Sequence, residues 1–436
     1  MSLSTTPGTS LPTFNLAHAH TPRAVLAPRS TEEVADAVRA AAAAGERLTP
    51  VGTGHGWTHR IEGGFALLTG ALDDVTVDPT TETVRIGAGA TWAQVLSAAA
   101  PYGLAPVAGS APGVGVVGYL LGGGLSPWGR TFGWGSDYLR SAQVVSGTGE
   151  VLTVSPTSHP DLFWALRGGK EIPAVVTSVE VGLVRLTRMY GGGLFFDAAD
   201  ADAVLAGWVA WSAGLPEEVN TSIALLRLPD LATVPEPLRG RCVLHVRIAV
   251  PLTAADSAAT AAAAVAPVRA LAPTVLDTLG ELPATALGAL HADPETPMPV
   301  VEAGALLGAL DRDAVSALLE VVGPGAPAPL SVVEVRRLGG RLAHPPALAD
   351  AVIGREAAYG LFVVSAPLPE LFDGPVAATV AALAQAMAPW TTGTFQPNFV
   401  GSLNLPGAVD RSRNAEDRAR LQRLRETYDP AGLIGH

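Results

Sequence analysis

Lysine is almost missing from this chain: of 28 basic residues only Lys170 is not arginine. Acidic residues number 40 and the formal net charge is −12. That balance argues against a nucleic-acid partner and against an anionic membrane surface, since both need a positive excess. Cysteine occurs once, as Cys242, which excludes an intrachain disulfide and a cysteine-based metal site. Charged residues are only 16% against 48% hydrophobic, so the chain is not disordered. Long unbroken apolar runs are lacking too. Ala254 to Ala272 is alanine-rich but contains Pro267, and it reads as a helix, not a membrane span. Met1 to Thr13 is rich in Ser, Thr and Pro without an apolar core, so no signal peptide is expected and a cytoplasmic location follows.

What the chain has in quantity is glycine, 48 residues in 436. The length suits two or three domains with a large core. Two glycine clusters stand out. Pro50-Val51-Gly52-Thr53-Gly54-His55-Gly56-Trp57 sets a histidine among glycines straight after an expected strand end. Gly109 to Gly124 is the second cluster, about fifty residues on. Glycine lets backbone approach a phosphate or a ring closely, so the pair suggests a cradle for a large ligand. Within the second cluster Gly113-x-Gly115-x-x-Gly118 matches a dinucleotide pattern. Pro112 before it and Gly122-Gly123-Gly124 after it deny the strand and long helix that a nicotinamide site requires.

Three zones follow. In residues 1–190, a helix capped by Ser30 or Thr31 runs to Gly45, a strand covers Leu48 to Val51, and hairpins are expected over Val75–Ile86 and Arg140–Val154. Helices are expected over Thr91–Tyr102 and Asp161–Leu166. In residues 191–395, strands at Ser222–Leu228, Cys242–Val250, Ser331–Leu338 and Tyr359–Val364 alternate with helices at Ala199–Ser212, Ala254–Ala272 and Arg312–Val322. This is an α+β pattern, an antiparallel sheet with helices on one face. Residues 396–436 carry a charged helix, about Asn414 to Tyr428, whose Arg411–Arg425 stretch is expected to be a solvated face with pairs such as Glu416–Arg420.

The glycine loop Val51–Thr58, the run Gly109–Gly124, the run Asp161-Leu162-Phe163-Trp164-Ala165-Leu166-Arg167-Gly168-Gly169 and the tail Tyr428-Asp429-Pro430 occur in that order. The combination resembles the berberine-bridge-enzyme-like branch of the FAD-linked oxidases, the vanillyl-alcohol-oxidase superfamily, and looks most like bacterial members with a Thr-Gly-His-Gly loop. It spans the chain from about Phe14 to the C-terminus. The resemblance implies a two-lobed PCMH-type FAD-binding domain (1–190), an antiparallel-sheet substrate domain (191–395) and a C-terminal segment returning to the first domain (396–436). It implies FAD contacts at Gly52, Thr53, Gly54, His55, Gly56 and Trp57, at Ala108, Gly109, Ser110, Val114, Gly115, Val117 and Gly118, and at Val176. It implies a covalent bond from His55 to the flavin. The position of a second, cysteine tether is Ala111, so attachment through His55 alone is expected.

Two departures matter. The family's Gly-Asn-Phe-Gly is Glu171-Ile172-Pro173-Ala174, where proline removes a donor and stiffens the backbone; Lys170 and Glu171 are expected to be solvated or paired with each other. The family's catalytic tyrosine position is Gln396, two residues before Asn398. A phenol can be lowered in pKa to accept a proton and an amide cannot. Replacement bases are His59, His291 or Tyr138. Arg336 and Arg337, neighbours on one strand, point to opposite faces; one holds an anionic substrate, or both pair with acidic residues. Trp57, Trp128 and Trp134 pack around the flavin or serve as core. The expected function is an FAD-dependent oxidoreductase, moving a hydride from a C–H of a small organic or secondary-metabolite substrate to flavin N5, with O2 as acceptor. Catalytic contacts are expected from Gln396, Asn398, Arg336 and Arg337. Gln396 leaves a second reading, a flavin-scaffolded non-redox cyclase or isomerase, or a degenerate member.

Overall fold

A computed structural model describes residues 11–253 and 257–435; most of the Met1–Thr13 stretch and the first three residues of the helix expected from Ala254 lie outside them. The chain begins with β1 (Ala24–Leu26), α1 (Thr31–Ala44), β2 (Leu48–Val51) and β3 (Phe65–Leu68). These strands form a small parallel sheet in the order β1-β3-β2. The α1 helix starts where the Ser30 hydroxyl accepts from Glu33 N and ends at Gly45, whose φ of 63° suits a left-handed cap. Its Val34, Val38 and Ala41 line one side at helical spacing and pack on Leu48 and Leu67.

Next come β4 (Val75–Asp78), β5 (Thr83–Gly87), α2 (Trp92–Ala99), β6 (Leu104–Ala105), α3 (Val116–Leu121), α4 (Gly129–Phe132), β7 (Leu139–Ser146), β8 (Val151–Val154), α5 (Pro160–Leu166), β9 (Ala174–Gly182) and β10 (Val184–Arg185). Here an antiparallel five-stranded sheet runs β4-β5-β9-β7-β8, while β6 and β10 pair separately. Both expected hairpins form. Asp78 closes the first by accepting from Thr80 N at 2.8 Å.

The architecture changes at β11 (Arg188–Asp197), within which residue 190 falls. It continues through α6 (Ala201–Ala213), β12 (Asn220–Arg227), β13 (Cys242–Leu252), α7 (Ser257–Arg269), β14 (Thr274–Asp277), β15 (Gly280–Pro283), β16 (Val301–Leu307), α8 (Arg312–Val322), β17 (Val332–Arg337), β18 (Tyr359–Ser365) and α9 (Ala377–Met387). The strands make one eight-stranded antiparallel sheet, β14-β11-β13-β12-β17-β18-β16, with β15 also on β11. Alternation sorts its side chains. Ile223, Leu225, Val246, Ile248, Val333, Val335, Leu361 and Val363 face α6, α7, α8 and α9 and build the largest core. Burying each such side chain contributes about 1.5–3 kcal/mol. The opposite face carries Arg247, Ser222, Glu334 and Arg336 in register across β13, β12 and β17. Among the described residues one helical segment, Pro369–Trp390, is long and apolar enough to cross a membrane by length and composition. In this fold its Val376, Val380, Leu383 and Met387 belong to the sheet-facing core.

The tail forms α10 (Ala408–Ser412) and α11 (Ala415–Tyr428), the latter capped by Asn414. It lies back on the first half: Leu421 and Leu424 join the core of the five-stranded sheet, and Gly147 N donates to Tyr428 O at 2.7 Å. The expected Glu416–Arg420 pairing does not form. Arg420 pairs with Asp161 and covers the Trp164 ring, while Arg425 reaches Glu171 at 3.2 Å. Most of this face is exposed, as expected, while Arg420 and Arg425 at its edge reach Asp161 and Glu171.

Candidate functional site

The two glycine clusters meet. The loop after β2 and the loop entering α3 are joined by Thr53, whose hydroxyl accepts from Gly115 N at 3.2 Å and lies 2.9 Å from His55 Nδ1. Phe14 stacks on the His55 ring at 4.1 Å, and the chain there is fixed by Phe14 N to Thr53 O and Asn15 N to Gly54 O. Gly54 has a φ of 71°, and a Cβ on it would sit 2.5 Å from Thr13, so only glycine fits. Across the gap, a Cβ on Gly113 would lie 3.9 Å from His55 Nε2. Burial pushes the imidazole down to about 4, with Asp293 opposing weakly. His55 is therefore neutral at pH 7, with a nitrogen lone pair available.

Among the described residues, the amides of Gly52, Thr53, Gly54, His55 and Gly56 donate to no group, nor do those of Gly109, Ser110, Val117 and Gly118. Undonated backbone amides of this kind are what an anion-binding nest requires. The amides of Ala108, Val114 and Gly115 are already engaged with Pro106 O, Ala111 O and Thr53 Oγ1. At those three positions only side chains and carbonyls remain for a ligand. A Cβ on Gly56 or Gly118 would meet nothing within 4 Å, and neither has positive φ. Both positions are exposed, and the space beside them is open. Trp57 borders this loop, edge-on to His20 and His59. Val176 sits in β9 opposite Val144, within the core beside the loops.

The turn Gly122–Gly124 is held from the tail. Gln396 is buried; its amide donates to Gly122 O and accepts from Asn398 N at 2.7 Å. Asn398 donates to Tyr119 O and accepts from Lys170 Nζ, each at 2.8 Å. Gln396 and Asn398 thus hold the glycine turn and the Tyr119 carbonyl. The pairing expected of Lys170 and Glu171 is replaced. Lys170, at φ 63°, turns inward to Asn398 and burial lowers its ammonium to about 8, while Glu171 turns out to Arg425. Trp128 and Trp134 are wholly buried core residues.

Above these loops lies the polar face of the eight-stranded sheet. Glu334 pairs with Arg247 at 3.0 Å and Arg336 at 3.2 Å, with His291 Nε2 3.4 Å away. Arg336 also covers the Phe399 ring at 5.2 Å. Arg337, on the other face, meets carbonyls of Ser212 and Ala358 and the Tyr359 ring. Of the two arginines, then, one pairs with an acid and one does not. Of the replacement bases, His59 is exposed. Tyr138 donates to Phe132 O and is pushed up to about 12 by burial. His291 is buried beside Arg336 and lowered.

A residue not foreseen stands better placed. Glu302 on β16 shares the face of Glu334, through the Glu302–Val364 and Val332–Val364 registers. Its carboxyl makes no hydrogen bond among the described residues, and burial, aided by Asp293, raises it to about 7. Asp293 ties it to the loops, since that carboxylate accepts from Ser110 Oγ at 3.1 Å and acts on His55. The sequence signal was Val-Glu-Ala-Gly-Ala-Leu-Leu, a strand hidden by its small residues.

Comparison with known proteins points to the ligand. Residues 22–155, under a third of the chain, match the family described as an FAD binding domain. The fit is physical: that domain holds the His55 loop and the Gly113–Gly118 loop, whose undonated amides and spare glycine space suit a pyrophosphate and a flat ring. An FAD-dependent monooxygenase of Penicillium roqueforti is 33% identical over 196 residues, 44% of this chain and 38% of that protein. An (R)-6-hydroxynicotine oxidase of Paenarthrobacter nicotinovorans is 31% identical over 212 residues, 48% of this chain and 43% of that protein. The matched segment thus spans well under half of these relatives. The whole fold is shared with Physcomitrella patens BBE-like 1 (TM-score 0.81, 18% identity, 97% of this chain and 92% of that one). It is shared equally with a glucooligosaccharide oxidase of Acremonium strictum described as carrying a 6-S-cysteinyl, 8α-N1-histidyl FAD (TM-score 0.80, 20% identity, 97% and 92%). The relatives beside the FAD-binding domain are thus fungal as well as bacterial.

Proposed function

We propose that this protein is an FAD-dependent oxidoreductase that oxidises a small organic substrate lying between the FAD-binding domain and the polar sheet face. The observation that carries the reading is the His55 loop with its undonated amides, linked through Asp293 to Glu302, a carboxyl with no hydrogen bond among the described residues. FAD bound there supplies a hydride acceptor at N5, and O2 restores it. His55 attaches the cofactor, and Ala111 offers no second tether. Glu302 takes the O–H or N–H proton of the substrate as the adjacent C–H gives up its hydride. The stacked Phe14 and the Thr53 hydroxyl hold the imidazole in place.

The non-redox reading arose from Gln396. The buried Gln396 amide is a strut for Gly122, and Glu302 supplies a proton acceptor elsewhere, so the site does not lack a base. The purified protein is expected to be yellow, with flavin absorbance that bleaches under a chemical reductant and returns in air. A colourless preparation that takes up no added FAD contradicts the reading.

A further inference from the structure

The loops treat the two ring nitrogens of His55 differently. Nδ1 lies 2.9 Å from the Thr53 hydroxyl. That oxygen also accepts from Gly115 N at 3.2 Å, so it is held between the two glycine clusters. Nε2 makes no hydrogen bond among the described residues. The ring edge that carries it, Cε1–Nε2, faces Gly113: a Cβ there would lie 3.9 Å from both atoms. Phe14 covers one face of the ring, with centroids 4.1 Å apart. Turning the ring over would set Cδ2–H against the Thr53 oxygen. The ring would then lose the one hydrogen bond it makes among the described residues, so the observed orientation is the favoured one.

We propose that Thr53 is a positioning residue that directs FAD to Nε2 of His55, so that Nε2 and not Nδ1 carries the flavin 8α carbon. The inference rests on the reading of these loops as the FAD site. A carbon bonded to Nδ1 would lie about 1.5 Å from it, toward an oxygen only 2.9 Å away. Carbon and oxygen would then overlap unless Thr53 released both His55 and Gly115. No such obstacle stands at Nε2. The hydroxyl also suits both stages of attachment, because it can accept and donate. Before attachment the neutral ring keeps its proton on Nδ1, which donates to Thr53, and Nε2 has the free lone pair. In the bond-forming step that pair goes to the 8α carbon. One C–H bond of the 8α-methyl group breaks; its proton goes to solvent and its electron pair stays with the flavin. Nδ1 then releases its proton to solvent and accepts from the Thr53 hydroxyl instead. The cofactor is left reduced by two electrons, which O2 takes up to give hydrogen peroxide.

The test is proton NMR of the flavin-bearing peptide cut from the purified holoenzyme. A substituent on Nε2 neighbours Cε1–H and Cδ2–H, whereas one on Nδ1 neighbours Cε1–H and the His55 β-methylene. The 8α-methylene is therefore expected to show Overhauser contacts to both ring hydrogens and none to the β-methylene. Contact with the β-methylene overturns the proposal, as does FAD that leaves the parent protein entirely on acid precipitation. In Thr53→Ser, which keeps the hydroxyl, the covalent flavin is expected on Nε2. In Thr53→Val, of nearly the same shape, the Nε2-linked share of bound FAD is expected to fall. An unchanged share in Thr53→Val overturns the role of Thr53. Failure of the FAD reading shows separately, as a parent protein that holds no flavin, attached or released, and it overturns both.

Discussion

At the scale of single residues the account turns on His55 and Glu302. Glu302 must be ionised to accept a proton. Its carboxyl is raised from an ordinary 4.5 to about 7, so turnover at limiting substrate should fall as the pH drops below about 7 and level off above. Glu302→Gln should remove that limb and lower the rate by about 10²–10⁴-fold. Stability carries the same group with the opposite sense. The native carboxyl holds its proton more tightly than the unfolded chain, so its contribution is present below about 4.5 and is lost as the pH rises through about 7. In Glu302→Gln, thermal melts should lose that part of the decline. A rate profile flat from pH 5 to 8 in the parent enzyme would remove Glu302 from the mechanism. The His55 loop stood out in the sequence only together with the second glycine cluster and the later motifs, since a histidine among glycines is by itself more often structural. Glu302 did not, because its role depends on which strands become neighbours, and a single carboxylate in an alanine- and glycine-rich strand carries no spacing signal.

At the scale of elements, Gly118 separates a cofactor role from a structural one. It lies inside α3, and a Cβ there meets nothing within 4 Å. Alanine favours a helix interior over glycine by about 0.8–1 kcal/mol. Gly118→Ala should therefore melt no lower than the parent while flavin content falls; undiminished flavin would mean that the space is idle. Gly122→Ala should behave differently, since its Cβ would lie 2.0 Å from Asn398 Oδ1, and both stability and the turn would suffer. Arg130 on α4 is a buried clamp, donating to carbonyls of Val219, Leu338, Leu215 and Pro216. Arg130→Ala leaves several buried acceptors unsatisfied, each costing about 1–3 kcal/mol, and denaturant unfolding should show a loss at or above that size. Most elements could be read from the chain, because α1, α8 and both hairpins carry caps, turns and clean periodicity. The clamp could not, since Arg130 and the carbonyls it gathers are distant in sequence.

At the scale of the whole molecule, two halves of different architecture close on one cleft. The first brings amides and a neutral histidine; the second brings a sheet whose outer face is charged where its inner face is aliphatic. The tail returns to brace the glycine turn through Gln396 and Asn398. Gln396, which in the sequence raised the question of the catalytic base, and Lys170, expected to be solvated or paired with Glu171, both join that brace in the structure, because a buried polar group takes whatever partner the fold supplies. The alternation in Val-Val-Glu-Val-Arg-Arg foretold a polar face, but not that its arginines and Ser222 would line up across three strands.

The most direct test of this account is the intact mass of the denatured polypeptide, parent and His55→Ala, with flavin assayed in the acid supernatant. The parent is predicted to carry the mass of one FAD, and His55→Ala the bare polypeptide mass with any flavin in the supernatant. A bare parent polypeptide with no flavin in either fraction would contradict the central claim.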